Sequence, residues 1–134
     1  LGWLLRLIGN RYFVSDFWTT ISPSTIWAPT SVDLSRLDKY ATVIRHELVH
    51  CGQARRWPVL WQIGFLLAPL PFFFAYVRWV SERNAYMVNI REGGRYEDTI
   101  EKAVKTLWSN YGWCWPRAWM RKWFLAQLRK EGLR

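Results

Sequence analysis

Both histidines of the chain fall in one five-residue window, His46-Glu47-Leu48-Val49-His50. Residues four apart on an α-helix lie on one face, about one turn from each other, so the two imidazoles can bind a single ion. The Glu47 carboxylate then lies beside the ion, where it can take a proton from a metal-activated water. The spacing therefore predicts a zinc site with Glu47 as the general base of a hydrolytic reaction.

The motif needs a helix to position its side chains. Residues 39–57 follow helical spacing of apolar side chains, with Asp38 where an N-cap would stand and Pro58 just past the end. The alternative is an ordinary amphipathic helix that happens to carry two histidines. Apolar neighbours predict burial of this helix, and a buried histidine pair with an acid between them costs desolvation unless something pairs with it. A metal ion would do so.

A catalytic zinc takes three protein ligands and keeps a fourth position open for water. The chain has no third histidine, so the remaining ligand must be a carboxylate or a cysteine. Glu82 is preferred, because it lies in a helix-compatible stretch with apolar surroundings, whereas the other downstream acids lie among charged residues. Cys51 directly follows His50 and would point about a hundred degrees away from the metal face. Cys114 stays open as an alternative ligand.

These residues resemble a known family. An H-E-x-x-H helix followed by Glu82-x-x-Ala85, 32 residues after His50, is similar to the gluzincin metallopeptidases, which include the minigluzincins and the membrane-embedded prenyl-protein endopeptidases. The stretch also resembles uncharacterised phage and bacterial proteins with an H-E-x-x-H…Q…E-R-x-A-Y pattern, some of which end in a Tyr-Gly-Trp-x-Trp-Pro segment like residues 111–116. Metzincins are excluded, because their further histidine would fall on Arg56.

The resemblance implies a zinc-dependent peptidase in which Glu47 is the general base. The metal ligands would be His46, His50 and Glu82. Many gluzincins carry an Asp one turn after the ligand Glu, where it orients a motif histidine, but this chain has Tyr86 there. Asn89 and Asp38 are the open candidates for that orienting role. Tyr86 or an arginine is the candidate for holding the oxyanion, since no further histidine exists.

Composition bounds the remaining possibilities. The chain has 134 residues, 51% of them hydrophobic, with 11 tryptophans and a net charge of +9. We expect one domain, and no signal peptide at residues 1–8. Because residue 1 is Leu, we expect the chain to begin inside a longer product or after processing. Two cysteines make no disulfide framework, which is compatible with a reducing compartment. The basic charge permits nucleic-acid contact, but no nucleic-acid-binding signature appears, so nucleic acid is the less favoured partner.

Two segments predict contacts beyond the metal site. Residues 57–77 contain no charged residue, but Pro69 and Pro71 split the run into halves too short to cross a bilayer. A helical hairpin fits this pattern better than a membrane span. The hairpin would be buried in the core or against another protein, or its tip would insert into a membrane. The basic, Trp-rich segment 113–134, with Trp119 and Trp123 on an apolar stripe, is typical of a helix that attaches to a membrane surface or an anionic partner.

The sequence thus predicts a small α+β, zincin-like domain. Two short β segments, residues 17–21 and 25–28, flank a Ser-Pro-Ser turn in a β-rich part, 1–38. About four helices follow. The successive segments are the motif helix 39–57, the hydrophobic insert 58–77, the third-ligand helix 78–92 and the basic, aromatic helices of 96–134. The favoured activity is zinc-dependent cleavage of a peptide or protein substrate; the alternative is a non-catalytic, zinc-stabilised subunit of a larger assembly such as a phage virion. The sequence is compatible with three locations: a virion, a membrane surface and a reducing compartment.

Overall fold

A computed structural model of the protein describes residues 18–67, 73–110 and 116–133. These residues form a two-stranded hairpin followed by five α-helices, which confirms the predicted α+β class. The chain divides into two compact units, residues 1–63 and 64–134. The predictions for residues 1–17, for Pro69 and Pro71, and for the 111–115 segment with Cys114 lie outside the described residues.

The first unit contains the predicted hairpin. Strands β1 (Thr19–Ser22) and β2 (Thr25–Trp27) are antiparallel, and Thr20 lies opposite Ile26. The turn at Pro23 and Ser24 joins them, as expected for a residue with a preset φ next to a small polar one. The register shifts between Thr20 and Ser22. Both strands pack on the motif helix, so the hairpin covers that helix on one side.

The motif helix, α1, spans Ala41–Arg56, close to the predicted bounds. The prediction that Asp38 is its N-cap is wrong. Asp38 lies inside a 3₁₀ stretch, Leu34–Tyr40, whose own cap is Asp33: the Asp33 carboxylate accepts hydrogen bonds from the backbone N–H and the hydroxyl of Ser35, which lowers the pKa of Asp33. The 3₁₀ stretch leads directly into α1, and the backbone carbonyl of Asp38 accepts a bond from the Ala41 N–H. The backbone carbonyl of Asp38, rather than its side chain, therefore binds the first residue of α1.

The described part of the uncharged run lies in two helices, and the turn of the predicted helical hairpin falls on residues 68–72, outside the described residues. Helix α2 spans Pro58–Leu67, and α3 spans Phe73–Glu92 without a break. The end of the run is thus the first part of the third-ligand helix. This helix begins five residues before the predicted residue 78, because the Phe-Phe-Ala-Tyr segment 73–76 is as compatible with helix as the residues after it. Val59, Leu60 and Ile63 of α2 are exposed. None of the described helices combines the length and apolarity that crossing a membrane requires.

The second unit contains a core of three helices. Helix α3 is followed by α4 (Tyr96–Asn110) and α5 (Arg117–Lys130), as the two predicted C-terminal helices. The turn between α3 and α4 needs glycine twice: Gly94 has a φ of +71°, and a Cβ on Gly93 would collide with the side chain of Thr99. The buried core residues come from all three helices: Trp79, Met87, Ile90, Ile100, Ala103, Val104, Leu107, Met120, Phe124 and Leu128.

The predicted apolar stripe of the last helix is mainly core. Phe124 and Leu128 are 0% and 3% exposed, whereas Trp119 is 67% exposed. Trp123 is half-buried between the edges of Trp79 and Phe124, with ring centroids about 5.5 Å and 5.4 Å away. Of the stripe, Trp119 alone is left as a large exposed apolar side chain, because the other positions close the three-helix core.

Candidate metal centre

Three candidate ligands come together in the structure. The nitrogen or oxygen ligand atoms of His46, His50 and Glu82 all lie within 4.8 Å of one another. Helix α1 supplies both histidines, and α3 supplies the carboxylate. Ligand atoms of a tetrahedral zinc site are about 3.4 Å apart, from metal–ligand bonds of about 2.1 Å. The three side chains are therefore close enough together to hold one metal ion.

The two histidines stand as helical spacing predicts. His46 and His50 are 8% and 5% exposed, and their ring centroids are 5.1 Å apart, edge to face. An edge-to-face arrangement lets the two rings present nitrogens to a common point without stacking on each other. Burial takes most of each imidazole away from water, so the ring nitrogens need another polar partner. The prediction that these side chains form one side of a metal site is thus consistent with both their separation and their burial.

Gln53 orients one of the histidines. Its side-chain carbonyl oxygen lies 3.0 Å from Nδ1 of His50, one turn earlier on α1. An amide oxygen can only accept, so Nδ1 carries the hydrogen and Nε2 presents its lone pair. Metal-binding histidines usually donate their second ring N–H in this way, which fixes both tautomer and ring orientation. Gln53 was not predicted for this role, although its position three residues after a ligand histidine on one helix was a readable signal.

Asn89 and Asp38 were the predicted orienting residues, and for His46 the choice between them stays a prediction. Asp38 lies in the 3₁₀ stretch before α1, and Asn89 is half-buried near the end of α3. The resemblance to gluzincins would place the orienting group on the ligand-Glu helix, by analogy with an Asp. For His50 the structure places it instead on the histidine helix itself.

Glu47, which lies between the two histidines in the sequence, is buried and is not a member of the three-ligand group. Its carboxylate Oε2 accepts a hydrogen bond from the Thr20 hydroxyl at 2.7 Å, and its backbone carbonyl lies 3.2 Å from the same hydroxyl. Thr20 belongs to β1 and is 3% exposed. A buried carboxylate needs such a donor, because it has lost its water. Sequence reasoning missed Thr20, and a threonine 27 residues upstream offered no signal of this contact.

Other residues complete the surroundings of the histidines. The Trp61 ring lies against His50, with centroids 5.2 Å apart. Tyr86, predicted to hold an oxyanion, packs against the three-helix core and is half-buried. Cys51 is buried next to His50 in sequence and is a free thiol outside the three-ligand group. The oxyanion role of Tyr86 therefore stays a prediction.

Comparison with known proteins adds no identification. No family model matches this chain, and neither a curated protein nor a solved structure matches it. The class that the site itself defines is a protein with a His-His-Glu group close enough to hold a metal ion.

Proposed function

We propose that the protein is a zinc-dependent metallopeptidase of the zincin type. The observation that carries this proposal is that His46, His50 and Glu82 lie close together. A further carboxylate, that of Glu47, is on the same helix as the histidines and is not one of the three ligands. Two imidazoles and one carboxylate suit zinc, which prefers nitrogen and oxygen donors of this kind in catalytic sites. The H-E-x-x-H spacing adds a base to the ligands, which a purely structural site does not need.

In this proposal, each residue of the site has a separate role in peptide hydrolysis. Zinc, when bound, supplies Lewis-acid polarisation of the scissile carbonyl and lowers the pKa of a water molecule. Glu47 accepts the proton of the attacking water and passes it to the leaving amine. His46 and His50 would be zinc ligands, and Gln53 orients the ring of His50. Burial of all three α1 side chains strengthens their electrostatic effect on the reacting groups.

Stabilisation of the oxyanion requires a further donor. Besides Tyr86, an arginine of α3 suits this role: Arg78 is 6% exposed and precedes Glu82 by one helical turn. A buried guanidinium on the same helix face as a metal ligand carries a permanent positive charge and several donors. We propose Arg78 beside Tyr86 as the candidate for this part of the reaction.

An extended peptide has a place to bind in the first unit. A cavity of about 380 Å³ opens along β2 and the segment that follows it; its lining includes Ile26, Trp27 and Leu34. Strand β2 has one partner among the described strands, so its other edge can pair with a substrate strand. Trp27 and Leu34 are exposed and offer apolar contacts for alternate substrate side chains. These features favour a peptide or protein substrate.

The alternative proposal is a non-catalytic subunit of an assembly, for instance a virion, in which the metal only stabilises the fold. Structural zinc sites usually have four protein ligands, whereas catalytic ones have three. The group found within the described residues has three. A further carboxylate between the two histidines also favours catalysis. Measured turnover decides between the two proposals.

The first test is metal content. We expect about one zinc per chain in protein prepared without chelator, and loss of zinc in His46→Ala and His50→Ala. Glu82→Ala should weaken zinc binding, while Glu92→Ala, on the same helix but exposed, should not. Wild-type protein that contains no metal, and takes up none from a zinc solution, would refute the proposed site.

The second test separates the base from the ligands. Glu47→Gln should keep zinc and lose peptide cleavage by about 100-fold or more, because general-base catalysis contributes that much. A library of internally quenched peptides is the substrate source. Zinc bound with no cleavage of any peptide by the wild type would favour the structural alternative.

A further inference from the structure

We infer that Thr20 is a positioning residue for Glu47: its hydroxyl holds Oε2 of the carboxylate and leaves Oε1 as the oxygen that accepts the proton. This inference rests on the proposed function, because it assigns Thr20 to the general base of that reaction. It also gives the N-terminal hairpin a part in the chemistry beyond covering the motif helix.

The Thr20 hydroxyl has one proton and two acceptors within reach. Oε2 of Glu47 is at 2.7 Å, and the Glu47 backbone carbonyl is at 3.2 Å. The shorter distance lies in the normal range for a hydroxyl that donates to an oxygen, whereas 3.2 Å lies outside that range. The proton therefore goes to the carboxylate. The carbonyl of Glu47 already belongs to the backbone bonding of α1, so it does not depend on Thr20.

Holding one carboxylate oxygen matters because a glutamate side chain has three rotatable bonds. A general base must keep its accepting oxygen within hydrogen-bond reach of the proton it takes. Catalytic bases are commonly oriented by a third group for this reason. Thr20 is well suited to this role, because it is 3% exposed, is β-branched and therefore stiff, and lies in a strand that is paired with a second one. A strand residue moves less than a loop residue would.

Thr19 offers a matched control. It is the preceding residue of β1, it is also buried, and successive strand residues point to opposite faces. Within the part of the chain that the structure describes, its hydroxyl has no hydrogen-bond partner. Thr19→Val therefore removes a buried hydroxyl from the same strand without touching Glu47, while Thr20→Val removes the one that Glu47 needs. Valine preserves the shape of threonine in both cases.

The kinetic experiment uses the whole 134-residue chain, loaded with zinc, and one peptide that the wild type cleaves, chosen from an internally quenched library. We expect Thr20→Val to lower kcat by about 10- to 100-fold, the factor that corresponds to losing a hydrogen bond to a charged group. KM and zinc content should stay unchanged. Thr20→Ser, which restores the hydroxyl, should recover most of the rate, and Thr19→Val should match the wild type. Equal losses in Thr19→Val and Thr20→Val would overturn the inference.

A second readout does not depend on activity. Protein labelled with ¹³C at the glutamate side-chain carboxyl gives one signal per glutamate, and the Glu47 signal is the one missing in Glu47→Gln. We expect this signal to shift in Thr20→Val, to return towards its original position in Thr20→Ser and to stay in place in Thr19→Val. An unshifted Glu47 signal in Thr20→Val would refute the contact itself.

The two readouts separate the two failures. If the wild type cleaves no peptide but the Glu47 signal responds to Thr20→Val, the proposed peptidase function fails and the contact stands without its catalytic role. If peptides are cleaved and neither kcat nor the signal responds, the inference about Thr20 fails and the peptidase proposal is unaffected. Should Thr20→Val not fold, a through-bond coupling between the Thr20 hydroxyl proton and the Glu47 carboxyl carbon tests the same bond in the wild type.

Discussion

Replacing Gln53 by alanine tests whether the His50 ring is set up for a metal. The Gln53 side-chain oxygen is 3.0 Å from Nδ1 of His50, and His50 is 5% exposed. Removing the amide leaves the tautomer of His50 undetermined and its ring freer to turn. Zinc binding must then fix the tautomer and the orientation of the His50 ring, which costs binding free energy. The zinc affinity of the variant is therefore expected to fall.

The size of the effect follows from the bond that is lost. A neutral hydrogen bond contributes about 1 kcal/mol, and the Nδ1 hydrogen becomes a better donor once the other ring nitrogen binds a cation. Changes to such orienting residues typically weaken metal binding about 10- to 100-fold. This range corresponds to about 1.4 to 2.8 kcal/mol of binding free energy. We therefore expect the zinc Kd of Gln53→Ala to rise by that factor.

Competition with a chromophoric chelator measures the zinc Kd, and circular dichroism checks that each variant is folded. Gln53→Glu keeps an acceptor at the same place, so its affinity should equal or exceed that of the wild type. Arg55→Ala, an exposed change on the same helix, is the control and should leave the Kd unchanged. A Gln53→Ala protein that binds zinc as tightly as Arg55→Ala does would refute the reasoning about the His50 tautomer.

Three further predictions concern stability and surfaces. Phe124→Ala should lower the free energy of unfolding by about 3 to 5 kcal/mol, because Phe124 is 0% exposed, whereas Trp119→Ala at 67% exposure should change it little; chemical denaturation compares them. Hydrogen bonds from Arg91 at 2.8 Å and 2.5 Å lower the pKa of Glu131 below its ordinary 4.5, so this pair should stabilise the fold above pH 4.5 and lose its effect as pH falls through the lowered pKa. Glu131→Gln should cost about 0.2 to 1 kcal/mol at pH 7 and progressively less below pH 4.5, by urea denaturation over a pH series. Because α2 has an exposed apolar face, we expect the protein to float with anionic vesicles, and Leu60→Ser to reduce the fraction that floats. Wild-type protein that does not float with the vesicles at low salt would contradict this prediction.

Elements governed by neighbouring residues were predictable. The motif helix was expected at 39–57 and occurs at 41–56, because apolar periodicity and a following proline both act within a few residues. The hairpin turn at Pro23 and Ser24 follows from the same local chemistry. The error over Asp38 has a local cause too: the 3₁₀ stretch runs to Tyr40, which is the N-cap residue of α1, so Asp38 lies two residues too early to cap that helix.

The start of α3 shows where such reasoning stops. The uncharged run was divided into an insert ending at residue 77 and a helix beginning at 78, but α3 begins at Phe73. Apolar residues support a core helix, a hairpin arm or the beginning of a longer helix equally well, so the pattern alone does not set the boundary. Similarly, the stripe with Trp119 and Trp123 could face a membrane or a core. Packing against Trp79 and Phe124 decided the matter for Trp123.

By itself, the sequence determined that His46 and His50 share one helix face, because residues four apart on a helix are adjacent whatever the rest of the chain does. It also limited the third ligand to an acid or a cysteine, since the chain has no other histidine. Only the tertiary structure brought Glu82 to within 4.8 Å of the histidines and the Thr20 hydroxyl to 2.7 Å from Glu47. Contacts between residues that are about 30 apart in the chain depend on how the connecting segments run and what the cores bury, and side-chain periodicity does not encode either.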